Sequence, residues 1–146
     1  MPVLSVADAR DQIYKVLSDA WAAAPGTPPM FYQDQRGEKP TAAPYAEAEI
    51  QHLDGLTVAI GDSGAKRVRS TGRLIVSVYS LPGDGLTTSD AMVKIVQEAF
   101  ESKRHTAPDA VTFRRVTPPI EDGLTGNAFK VRVLVYFDYD RIQGMT

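Results

Sequence analysis

Few residues in this sequence are of types that do chemistry, and their spacing argues against catalysis. There are two histidines, His52 and His105, and no cysteine. That excludes a thiolate zinc site, an iron–sulfur cluster, a disulfide framework and a cysteine nucleophile, and leaves no pair at metal-ligand spacing. His52 stands two residues before Asp54 at the end of an alternating stretch, where a surface or edge histidine outweighs a general base. His105 follows Lys103 and Arg104 and reads as part of a solvated helix end. Glu47 and Glu49 project from one face of a strand about 7 Å apart, within the range that carboxylate pairs use in glycoside hydrolysis. Alternating acids are also the ordinary wet face of a strand. Asp138 and Asp140 repeat the spacing near the C-terminus, where fraying is expected. Gly83-Asp84-Gly85 precedes a helix, but it lacks the third glycine of a dinucleotide loop and the Gly-Lys-Ser/Thr of a P-loop. A nucleophile elbow is also absent. The expectation is a protein that is not an enzyme and needs no metal or organic cofactor.

One charge feature is more informative. Lys66, Arg67, Arg69 and Arg73 fall within eight residues of a chain whose net charge is −2. They read as a basic hairpin arm that is solvated, meets an acidic neighbouring subunit, or touches phosphate backbone. No aromatic residue interleaves the run, which disfavours a stacking platform for single strands. Glu47, Glu49, Glu121 and Asp122 are candidate acidic partners, and sequence alone pairs none of them individually.

The elements that must position these residues are legible from periodicity. Ile13, Val16, Leu17, Ala20, Trp21 and Ala24 form one stripe of a helix over about 6–24, with Ser5 as N-cap and Pro25-Gly26 as its stop. Met30 to Gln33 predicts a short strand, and Asp34 to Pro44 a long loop. Tyr45 to Leu53 alternates as a half-buried strand, Asp54-Gly55 reads as a turn, and Leu56 to Ile60 is a short apolar run. Residues 65–81 are extended with an interruption at Gly72. A second helix begins with Thr87, Thr88 or Ser89 as N-cap, and its stripe is Met92, Ile95, Val96, Ala99 and Phe100. Val111 to Thr117 is a strand and Pro118 to Gly126 a turn. The last strand places Phe129, Val131, Val133, Val135, Phe137 and Tyr139 on one face. Lys130, Arg132, Leu134, Tyr136 and Asp138 lie on the other, whose apolar members call for a covering contact.

At 146 residues, with 43% hydrophobic and 23% charged residues, the chain predicts one globular domain with its own core. The pI near 5.6 disfavours a generally basic nucleic-acid binder. No signal peptide or membrane-spanning run is evident, so a soluble protein made in the cytoplasm is expected. The predicted fold is α+β, a mostly antiparallel sheet with two amphipathic helices packed on one face.

Three stretches carry a family resemblance. They are Leu17-Ser18-Asp19-Ala20-Trp21 at the end of the first helix; Arg69 to Tyr79 followed by Pro82-Gly83-Asp84-Gly85 and a helix to Phe100; and the closing strand Phe129 to Tyr139 with its aromatic-Asp-Tyr-Asp ending. In this order they span about two-thirds of the chain, and the sequence resembles the tail terminator (tail completion) proteins of long-tailed bacteriophages. The Asp34–Pro44 loop and the Pro118–Gly126 turn have no assigned counterpart. The resemblance implies a virion structural protein at the head-proximal end of the tail. It implies a homo-oligomeric ring, generally a hexamer, seated on the last ring of tail-tube protein. Such a ring ends tube polymerisation and offers a surface to the head-side connector. DNA would pass through its hole without being read, and no membrane is involved. The basic run and Glu47 and Glu49 are then candidate interface residues. Two rivals are another small head–tail connector or tube subunit, and a cone-shaped α+β small-ligand enzyme. The latter needs polar groups on the concave face.

Overall fold

The structure is a computed structural model that describes residues 5–32, 44–60, 66–81, 83, 87–101, 111–125 and 128–142, without the side chains of 56–60, 66–67, 125 and 142. The elements in chain order are α1 (Val6–Ala23), β1 (Met30–Tyr32), β2 (Tyr45–Ile60), β3 (Lys66–Ser80), α2 (Thr87–Glu101), β4 (Thr112–Val116), β5 (Ile120–Thr125) and β6 (Ala128–Ile142). One sheet runs in the order β1-β2-β3-β6-β4, and β5 shares the outer edge of β6 with β4. Among the described strands only the β1–β2 pair is parallel. The fold is therefore α+β with a mostly antiparallel sheet.

The helices form where the stripes predict. The Ser5 hydroxyl accepts the Asp8 amide at 3.1 Å and caps α1. Ala9, Ile13, Leu17 and Trp21, four residues apart, are its buried line. Beyond the helix Gly26 takes a positive φ of 71°. The turn is tied back by Trp21 Nε1, which donates to the Pro28 carbonyl at 2.8 Å, and by the Thr27 hydroxyl, which donates to the Trp21 carbonyl at 3.1 Å. In α2, Met92, Val96 and Phe100 are buried together with Val93. Thr87 is already helical, so Thr88 and Ser89 lie in the first turn rather than at the cap. Ser89 is buried there, its hydroxyl 2.9 Å from that of Ser80.

Both helices pack on the same sheet face. Ala46, Ala48 and Ile50 of β2, Leu74, Val76 and Val78 of β3, and the Val131–Tyr139 stripe of β6 join them in one core. The register explains this, since Ala48, Val76 and Val133 lie side by side. At Gly72 the sheet has no side chain to offer, and Phe137 fills the space. A Cβ there would sit 2.7 Å from the Phe137 ring and 2.6 Å from the Gln51 carbonyl oxygen.

Four expectations are corrected. Asp54-Gly55 is not a turn: β2 runs through it, with Leu53 as the extra residue of a β-bulge between His52 and Asp54. Pro118–Gly126 contains β5, which pairs with β6. The last strand continues to Ile142 and its aspartates are not frayed, because Asp138 and Asp140 are buried. Finally, the basic run is not a free arm. It lies in β3, between β2 and β6, with Arg69 opposite both Leu56 and Asp140. The Asp34–Pro44 loop (apart from Pro44), Asp84, Gly85, Lys103, Arg104 and His105 lie outside the described residues.

Candidate subunit interface

Alternation places Glu47, Glu49 and Gln51 of β2, Arg69 and Arg73 of β3, and Arg132, Leu134, Tyr136, Asp138 and Asp140 of β6 on the sheet face away from the helices. No described helix covers this face. It carries four of the six predicted interface residues, Glu47, Glu49, Arg69 and Arg73. The backbone of Lys66 and Arg67 pairs with Ile60 and Ala59, and their side chains lie outside the described residues.

At one end of this face two arginines neutralise two buried acids. Arg69 donates to both oxygens of Asp140 at 2.9 and 3.3 Å and lies 4.0 Å from Asp138. Arg114 grips Asp138 at 2.6 and 2.7 Å. The side chains of Asp138 and Asp140 are only 3% and 2% exposed. Burial without such partners would be prohibitive for a carboxylate. The hydrogen bonds, then the charges, of these acids raise the pKa of both guanidinium groups. Arg69 is therefore first a counter-ion within its own chain.

Further along, charge is graded across the strands. Arg73 donates to Gln51 at 2.9 Å, and Gln51 donates to Glu49 at 3.0 Å, so a basic and an acidic candidate are joined through one amide. Arg115 of β4 is exposed and its guanidinium stands 4.7 Å above the Tyr136 ring. Arg132 holds Asp122 of β5 at 2.6 and 3.2 Å. Glu47 and Glu49 thus lie on β2, Arg73 on the neighbouring central strand β3 and Arg115 on the edge strand β4, while Arg114 is taken up by Asp138. Leu134, expected to need a cover, is buried within the chain, and its backbone exchanges hydrogen bonds with Thr117.

The helix side holds a second polar group, in which His52 and Asp54, noted from the sequence, meet partners that the sequence did not single out. A cleft of about 310 Å³ is lined by Val6, His52, Leu53, Asp54, Gly55, Ser70, Tyr139 and Arg141. His52 Nε2 is 2.8 Å from the hydroxyl of Tyr139, and Arg141 donates to the Ser70 hydroxyl at 3.1 Å. Partial burial, then the charges of Arg10 and Arg141, lower the His52 pKa from its ordinary 6.5. Burial raises that of Tyr139. The even spacing of Tyr139 and Arg141 with the apolar stripe of β6 places both on the helix side. His52 continues the Ala46, Ala48, Ile50 alternation to the same side, and the β2–β3–β6 register, which no spacing announces, brings it to Tyr139.

No helix among the described residues is long and apolar enough to cross a membrane. No protein-family model matches the sequence, and no curated protein matches it. Solved structures do resemble it. One aligns over 98% of this chain and 99% of its own, at 20% identity and a TM-score of 0.57. At that identity the likeness shows a shared fold alone.

Proposed function

We propose that this chain is a structural subunit that joins copies of itself head to tail into a ring, and that the ring caps the head-proximal end of a phage tail tube. The observation that carries the reading is the charge difference across the sheet face that no described helix covers, acidic at Glu47 and Glu49 of β2 and basic at Arg73 of β3 and Arg115 of β4. A heterologous contact uses two different surfaces of each subunit and closes into a ring when its rotation allows. Opposite charge at the two sides favours that contact over a like-with-like one and sets its orientation. The Asp138–Arg114 and Asp140–Arg69 pairs, whose acids are buried, leave no net charge of their own on this face.

The resemblance to tail terminators supplies the rest of the proposal: about six subunits, a tube-protein ring below, a head-side connector above, and DNA passing through the bore unread. The test is the mass of the purified full chain by light scattering over a range of concentration and salt. A closed oligomer that weakens as salt rises supports the reading. A monomer in every condition, including with tail tubes added, overturns it.

A further inference from the structure

The cleft beside the Leu53 bulge has the makings of a ligand site, and it lies on the sheet face opposite to the proposed ring contact. Its polar side holds one guanidinium, Arg141, and one carboxylate, Asp54, with the hydroxyls of Ser70 and Tyr139 and the His52 ring. Arg141 is half-buried, and among the described residues its one partner is the neutral Ser70 hydroxyl. The positive field of Arg10 also reaches His52 and Tyr139. The single acid in the lining, Asp54, has one oxygen committed to the Gly55 amide at 2.7 Å. A partly buried guanidinium without a carboxylate partner has a planar set of donors to spare, the geometry that grips an oxyanion two-handed.

The other wall is apolar. Leu53 and Val6 are 53% and 38% exposed, two of the four large hydrophobic side chains left in water among the described residues. Gly55 contributes no side chain, and a Cβ there would already be 3.3 Å from Val68. A volume of about 310 Å³ is at the lower end of what small ligands occupy. We propose that the cleft binds a carboxylate bearing a short branched aliphatic group. The acid sits on Arg141 with the Tyr139–His52 pair beside it, and the aliphatic part lies between Val6 and Leu53. Either a free small acid or an acidic side chain next to an apolar one on a protein surface presents this chemistry.

Methyl and imidazole NMR of the full-length protein decides the matter. Sodium isovalerate, acetyl-leucyl-glutamate amide and the neutral isovaleramide are each titrated while the Val6 and Leu53 methyls and the His52 ring are followed. Saturable shifts with a carboxylate, at least roughly tenfold weaker in Arg141→Gln and in the amide control, are expected, as loss of a charge-assisted hydrogen bond implies. Tighter binding of isovalerate identifies a free acid, and tighter binding of the capped dipeptide a protein-borne one. The exposed Leu53→Ala keeps the test valid if Arg141→Gln does not fold, and it too should weaken binding. No saturable shift with either carboxylate, equal binding of isovaleramide, or full-strength binding by a folded Arg141→Gln or by Leu53→Ala overturns the proposal.

Discussion

Replacing Gly72 by alanine probes the place where the two long central strands and the aromatic stripe of β6 meet. A Cβ at this position would stand 2.6 Å from the Gln51 carbonyl oxygen and 2.7 Å from Phe137 Cζ. The ring belongs to a side chain that is 1% exposed, and the carbonyl belongs to the neighbouring strand, so neither gives way freely. Overpacking of this kind costs about 1–3 kcal/mol, and contacts on two sides place it at the upper end. Against this, an alanine restricts the unfolded chain and returns about 0.4–1 kcal/mol. The net loss is about 2 kcal/mol, or a fall in Tm of roughly 5–8 °C for a domain of this size. Urea unfolding followed by fluorescence of Trp21, the single tryptophan, measures it at one protein concentration, and the m-value should not change. Adding Phe137→Leu removes the ring contact but leaves the carbonyl one. The double variant should therefore be less unstable than the sum of the two single changes. A Gly72→Ala protein as stable as the wild type, or more stable, refutes the packing described at this crossing.

Truncating Trp21 or Phe100 to alanine should cost about 3–5 kcal/mol in the same assay, because both side chains are buried in the core between helices and sheet. Arg69→Glu should destabilise the subunit itself, since it sets a third carboxylate against Asp138 and Asp140; an unchanged unfolding midpoint would show that those acids do not depend on Arg69. His52 should make stability fall in mild acid. Its folded pKa is below the ordinary 6.5, so the unfolded chain takes up the proton first, and the loss begins as pH drops through 6.5 and levels off below the folded pKa. His52→Gln should flatten that part of the pH profile, and an unaltered profile would contradict the lowered pKa.

Periodicity revealed the elements whose environment is one-sided. The stripes of α1 and α2 and the alternation of β6 are local patterns that follow from burying one face, and the structure places them on that face. What the sequence hid depends on register. The extent of β2 was masked because Asp54-Gly55 has turn chemistry, yet a bulge at Leu53 absorbs the irregularity within the strand. β5 was masked because Pro118, Pro119, Gly123 and Gly126 outweigh a short stretch with little alternation. The interface candidates were half legible. Charge clustering picked out Arg69 and Arg73, and alternation picked out Glu47 and Glu49, all on one face. That Arg69 is held by Asp140 71 residues away comes only from the β3–β6 pairing, and the same pairing turned an expected projecting arm into the middle of a sheet.

Head-to-tail assembly through the graded face can be tested with two complementary charge-reversed proteins. One carries Glu47→Lys and Glu49→Lys, and the other Arg73→Glu and Arg115→Glu. Each alone sets like charge against like at every contact, and light scattering should return the 15.9 kDa monomer for both. Mixed in equal amounts they restore opposite charge at every contact, and a closed oligomer of the wild-type mass should reappear. Wild-type assembly by either variant alone, or monomers that persist in the mixture while the wild type assembles, would contradict the account.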